Sequence, residues 1–143
     1  MVMLYLFNSP LGPISYHWDG EACQEVSLSA QIGMPESVDP VSEWLNAYFS
    51  NQQAPLPLLA EAATPFQERM RQGLLAIPFG EVRTYGEIAA TLHTAPRAMG
   101  QALGANPLPI LIPCHRIIAA DGLGGFSCGI ECKKKLLKFE RSF

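Results

Sequence analysis

TYGEIAATLHTAPRAMGQALGANP, residues 84–107, reads as two short helices in succession. Thr84 stands three residues before Glu87, the spacing at which each side chain can satisfy the other's backbone N–H at a helix start. That predicts a helix over YGEIAATL. Thr94 is the expected cap of a second helix, APRAMGQALGAN. With only HTA between them, the pair has a helix-turn-helix pattern, although many core helix pairs look the same. The second helix carries Ala98, Gly100, Ala102 and Gly104. Such small residues let another backbone approach closely, either a neighbouring helix or a nucleic acid groove.

Upstream, TPFQ supplies Thr64 as a cap, Pro65 at the first helical position and Gln67 three after the cap. The helix it starts carries Phe66, Met70, Leu74 and Ile77 towards a core and ends at IPFG. Before that point the periodicity changes. Residues 2–7 are apolar, SPLGP is a turn, ISYHW alternates, DGE is a second turn and ACQEVSLS alternates again. These predict a small antiparallel sheet. PVSEWLNAYF (40–49) then places Val41, Trp44, Leu45, Tyr48 and Phe49 on one helical face. SNQQAPLPLLAEAA is proline-punctuated and is the expected linker. The expected domains are an α/β scaffold over 1–62 and a mainly helical domain over 63–143.

Charge divides at the same place. Residues 1–63 hold seven acids and no Lys or Arg, a net charge of −7. Residues 64–143 hold all ten basic residues and six acids, a net charge of +4, so only the second half would welcome a polyanion. No run among the 143 residues approaches a membrane span. The opening MVMLYLF lacks a basic leader and a small-residue cleavage site, and is expected to be a strand in an intracellular, unsecreted protein. Cys23, Cys114, Cys128 and Cys132 are then free thiols in a reducing compartment. Their spacing does not suit a zinc site, so neither metal nor cofactor is expected.

ILIPCHRIIAADGLGGF (110–126) carries the chemistry. A thiolate is the reactive form of cysteine, and a nearby base or cation lowers its pKa. His115 follows Cys114 directly, but neighbours on an extended segment point to opposite faces. The acids downstream that could orient the histidine are Asp121, Glu131 and Glu140. From the Cys-His dipeptide alone, a simply packed cysteine is the better reading.

Three stretches tip the balance towards a reactive one: IPFGEVRTYGEIA, RAMGQALGANPLPILIPCHRII and GGFSCGIECKKKLLKFE. Together they resemble the catalytic domain of the O6-alkylguanine-DNA alkyltransferases, in order from about Thr64 to Glu140. The first half resembles the family only through SPLGPI. The resemblance implies a ribonuclease-H-like first domain and a winged-helix-like second domain. It implies direct, single-use transfer of an alkyl group from guanine O6, with O4-alkylthymine as a further candidate substrate. The partner would be double-stranded DNA carrying the lesion, bound by a monomer in the cytoplasm, at the nucleoid, or in the nucleus.

By the same resemblance, Cys114 is the acceptor, His115 the base acting through water, and Glu140 its orienting acid. Tyr85 serves the leaving base, Asn106 braces the active-site loop, and Arg116 is structural. Arg97 is the finger that fills the space of a flipped base, while Ala98, Gly100 and Gln101 accompany it in the minor groove. Phe126, Ser127 and Cys128 line the substrate pocket. Lys133 falls on a family lysine position, while at least two of the KKK lysines are a solvated face. Phe126 replaces a usual tyrosine and Cys128 a usual glycine, which is expected to narrow the pocket in favour of methyl groups. The family's first-domain zinc site is not carried over, because only His17 and Cys23 could contribute. The rival classes are a lesion-binding protein without transfer, which would characteristically lack the cysteine, a turning-over cysteine hydrolase, and a DNA-binding regulator with a structural thiol.

Overall fold

A computed structural model describes residues 2–28, 33–34, 38–125 and 129–143. The chain divides into two compact units, Met1–Ala60 and Glu61–Phe143.

In the first unit, β1 (Met3–Ser9), β2 (Gly12–Trp18) and β3 (Cys23–Ser27) form an antiparallel sheet in that spatial order. The register pairs Phe7 with Ile14 and Ser9 with Gly12, which leaves Pro10 and Leu11 as the hairpin turn. Gly12 has φ +116, a backbone conformation that a Cβ would strain. Helix α1 (Pro40–Phe49) buries Val41, Leu45 and Tyr48. Trp44 and Phe49 are half-buried, the indole stacking on Tyr48 and the Phe49 ring on Phe7. The cap of α1 is Asp39, whose Oδ1 accepts from the backbone of Val41 and Ser42. Its Oδ2 accepts from the Tyr16 hydroxyl at 2.7 Å, locking the helix start to β2. Part of the expected linker is strand-like: Cys23 N donates to Leu58 O and Ala60 N to Cys23 O, along β3.

The second unit contains α2 (Pro65–Leu75), β4 (Arg83–Thr84), α3 (Tyr85–Thr91), α4 (Pro96–Gly104), β5 (Ile117–Ile118) and α5 (Ile130–Arg141). Its core joins Met70 and Leu74 of α2, Met99 and Leu103 of α4, Leu108 to Ile112, and Leu136 and Leu137 of α5. The two-residue strands β4 and β5 pair in parallel, Arg83 with Ile117 and Thr84 with Ile118. The capping box of α3 forms in both directions, between Thr84 and Glu87. At α2, Thr64 accepts from Gln67 N. Thr94 does not cap α4. Ala95 takes that position without a side-chain hydrogen bond, because the helix begins with Pro96, whose fixed φ and missing N–H suit a first turn. Among the described residues, no helix is long and apolar enough to cross a membrane.

Candidate active site

Cys114 is presented by a backbone turn built upstream of it. Ile112 N donates to Leu108 O at 2.9 Å, and Ile110 within that turn takes φ +73. Asn106 closes the same turn from inside: Nδ2 donates to Ile112 O at 3.2 Å, and Oδ1 accepts from Leu108 N at 3.0 Å. Pro113 then leads into a 3₁₀ turn over Cys114–Arg116, and β5 follows at once. The segment is therefore not extended at the cysteine. Successive side chains of a 3₁₀ turn lie about 120° apart rather than on opposite faces. Cys114, His115 and Arg116 all point inward, with relative exposures of 3%, 0% and 8%.

Glu140, in the last turn of α5, is the carboxylate that meets them. Its Oε2 lies 2.5 Å from His115 Nε2. Arg116 grips the same group with both arms, Nε to Oε1 at 2.9 Å and Nη2 to Oε2 at 3.1 Å, and its Nη1 donates to Ile77 O at 2.8 Å. Gly80 N donates to Oε1 at 3.0 Å. Four donors thus converge on one buried acid, which satisfies it as a buried charge requires. Of the three acids named as partners for the histidine, Glu140 takes the position. Phe79 lies under the Arg116 guanidinium, its ring centre 5.7 Å from Cζ.

A carboxylate can only accept, so Nε2 of His115 carries the proton and Nδ1 keeps its lone pair. Burial pushes the pKa of His115 below its ordinary value, against the pull of Glu140. The ring is therefore neutral at physiological pH, the state a proton acceptor needs. Burial also pushes the Cys114 thiol up to about 11, opposed by the Asn106 side chain and by the charge of Lys133. The resting pair is a neutral thiol and a neutral imidazole.

Lys133, one turn into α5, is fully buried, whereas Lys134 and Lys135 are exposed. Its Nζ donates to Ile117 O at 2.6 Å and to Gly125 O at 3.0 Å, and burial lowers its pKa. Lysine is almost never fully buried without a reason. The helical spacing shows one: Lys133, Leu136, Leu137 and Glu140 fall on a single face, which turns inward.

Tyr85, at the first position of α3, is half-buried, and its ring edge and hydroxyl meet the loop at Gly124. On α4, Arg97, Gly100 and Gln101 are exposed and Ala98 is half-buried. A Cβ at Gly100 would meet nothing within 4 Å, so the surface there is open. Phe126, Ser127 and Cys128 lie outside the described residues. Among those described, no group of three His, Cys, Asp or Glu could hold a metal ion. The contributions of Gly80 N and Ile77 O are invisible in sequence, because backbone donors and acceptors carry no side-chain signature.

Residues 65–142 match the family model described as 6-O-methylguanine DNA methyltransferase, DNA binding domain. The chain is 38% identical over 151 residues to a methylated-DNA–protein-cysteine methyltransferase of Methanosarcina acetivorans, covering 96% of this chain and 97% of that one. A crystal structure of the Mycobacterium tuberculosis O6-methylguanine methyltransferase is similar with a TM-score of 0.85 at 36% identity, over 99% of this chain and 94% of that one. The mycobacterial protein in complex with DNA is similar with a TM-score of 0.82 at 34% identity, over 97% and 93% of the two chains.

Proposed function

The chain belongs to the family of 6-O-methylguanine DNA methyltransferases, and on that premise we propose that it repairs O6-alkylguanine in DNA by one irreversible transfer of the alkyl group to Cys114. The observation that carries this reading is the buried turn Cys114–Arg116, in which the residue next to the cysteine is a histidine paired with the buried Glu140.

His115 Nδ1 takes the thiol proton through a water. The sulfur then attacks the alkyl carbon in line with the bond to O6. A C–S bond forms as the C–O6 bond breaks, and the electron pair goes to the guanine. Tyr85 supplies a hydrogen bond or proton to that leaving base, and the proton lost by the thiol restores the balance. Glu140 holds the imidazole in its tautomer and stabilises the imidazolium that forms, as orienting acids do. Asn106 fixes the backbone that presents the sulfur, and Arg116 holds Glu140.

The exposed face of α4 lies in the minor groove, with Arg97 in the space of the flipped base and Ala98, Gly100 and Gln101 against the strand. Flipping is needed because O6 in a stacked pair is closed to a thiol. O4-alkylthymine is a second substrate. We read residues 1–62 as a ribonuclease-H-like scaffold kept off DNA by its charge, and 63–143 as a winged-helix-like catalytic domain. The protein works as a monomer inside the cell, in the cytoplasm, at the nucleoid or in the nucleus.

Intact-protein mass spectrometry after mixing with an oligonucleotide carrying one O6-methylguanine tests this. One CH₂ increment per protein, absent in Cys114→Ser, is expected. An unchanged mass in a folded, DNA-bound protein would overturn the reading.

A further inference from the structure

The face of α5 that turns inward contains one residue, Lys133, whose charge opposes the burial that raises the Cys114 thiol but whose hydrogen bonds go to two backbone carbonyls elsewhere. Lys133 is wholly buried, and among the described residues no carboxylate lies within ion-pair distance of its Nζ. Replacing water around an ammonium with two carbonyl oxygens is a poor exchange, and an apolar side chain of the same length would pack there at less cost. What the ammonium holds is therefore informative.

One of its carbonyls belongs to Ile117, the first residue after the Cys114–Arg116 turn. The other belongs to Gly125, in the loop leading to α5. The residue before Gly125 is Gly124, with φ +72. A Cβ built there would lie 2.9 Å from both Cε2 and Oη of Tyr85 and 3.3 Å from Ala119 N. That loop thus lies directly against the tyrosine hydroxyl, at a distance only glycine permits. A single side chain ties the backbone leaving the cysteine turn to the backbone that abuts Tyr85.

We propose that Lys133 is a positioning residue for alkyl transfer, which through Gly125 and Gly124 sets where the Tyr85 hydroxyl stands relative to the Cys114 sulfur. This rests on the function proposed above, in which Tyr85 assists departure of the guanine. Its three N–H donors suit the task, since two carbonyls on separate segments can be held at once, which no apolar side chain can do. Gly124 transmits the constraint because its missing Cβ leaves no slack between loop and ring.

The test uses the full chain, with single-turnover transfer from an O6-methylguanine oligonucleotide as the rate and titration of the same DNA as the affinity. Lys133→Met is expected to slow transfer by about 100-fold, the scale of a misplacement of about 1 Å at a reacting centre. Its DNA affinity should change less than about threefold. Tyr85→Phe is expected to slow transfer by itself, and the double variant should be no slower than the slower single, because both act on one hydroxyl. Gly124→Ala, which leaves Lys133 intact and pushes the loop off the ring, should reproduce the loss and serves if Lys133→Met does not fold. Wild-type rates in Lys133→Met, losses that multiply in the double variant, or a Gly124→Ala protein with undiminished transfer would each overturn the proposal. A wild-type protein that transfers nothing would instead overturn the function on which it rests.

Discussion

Arg116 holds Glu140 through two parallel hydrogen bonds of 2.9 and 3.1 Å, on the same carboxylate that orients His115. The arginine thereby balances the charge of the acid, which would otherwise favour an imidazolium before any substrate arrives. Arg116, which reads as structural in sequence, also helps to keep the imidazole neutral; its charge is among the influences that lower the pKa of His115.

Removing one partner of this pair leaves a buried charge alone. Arg116→Met should cost about 3–5 kcal/mol of stability. The paired change Arg116→Met with Glu140→Gln should cost less than the two single changes together, because the stranded charge is gone. Urea unfolding of the three variants measures both. Equal, additive losses would show that the pair is not coupled.

Two buried cysteines each lower stability on the alkaline side, where the depressed pKa of buried Lys133 acts in the opposite sense. Burial raises Cys114 from the ordinary 9.0 to about 11 and Cys23 from 9.0 to about 12. Above pH 9 the unfolded chain releases these protons while the folded chain keeps them, so stability falls as pH rises towards 11 and 12. Cys114→Ala should make that fall shallower. Iodoacetamide should label Cys114 slowly at about pH 7 and much faster above about pH 9, as read by peptide mass mapping.

His115 fixes a limb on the other side. Its pKa is lowered by burial from 6.5, so below pH 6.5 the unfolded chain binds a proton that the folded chain refuses. Stability should decline as pH drops through that region. Thermal melts of wild type and His115→Gln between about pH 5 and about pH 7 should differ in slope, the variant being flatter.

The open face of α4 separates folding from binding. Gly100 is exposed with nothing within 4 Å of a Cβ, so Gly100→Gln should stabilise the free protein by about 0.5 kcal/mol through helix propensity. If α4 enters a DNA groove, the same change should weaken DNA binding by about tenfold, or about 1.4 kcal/mol. Melting temperature and fluorescence anisotropy should move in opposite senses. Unchanged affinity would place the DNA elsewhere.

Asn106 holds the cysteine turn with two buried hydrogen bonds. Asn106→Ala should cost about 2–3 kcal/mol, since Leu108 N and Ile112 O are left without those partners. It should also raise the Cys114 thiol further, because the amide is what opposes burial most strongly there. Thermal unfolding and the pH dependence of labelling report the two effects separately.

Much of this was legible in the sequence, for physical reasons that differ by element. The helix starts at Thr64 and Thr84 announce themselves because a hydroxyl just ahead of an apolar stripe has one economical use, although the reciprocal bond of a capping box forms only at Thr84, from Glu87, and not at Thr64 from Gln67. Helix α1 was visible as a stripe of apolar residues, but its Asp39 cap was not, since an aspartate beside Pro40 reads equally as a solvated turn. The Glu140 pairing spans 25 residues from His115, and no local pattern fixes such a distance. Lys133 stood apart from its neighbours only through the family resemblance, because three consecutive lysines look alike until helical geometry turns one of them inward.

The turn before Cys114 passes through Ile110 at φ +73, where a β-branched residue is out of place, and that side chain is 1% exposed. Burial of the isoleucine holds the backbone in a conformation its own chemistry disfavours. The shape of the cysteine turn is therefore lent by the surrounding core and is not a property of the motif. A peptide spanning 106–116 would carry Asn106, Cys114, His115 and Arg116 and relax out of their geometry. Grafting those letters onto another scaffold would transplant the text without the reactivity, and the smallest portable unit of this chemistry is a folded domain.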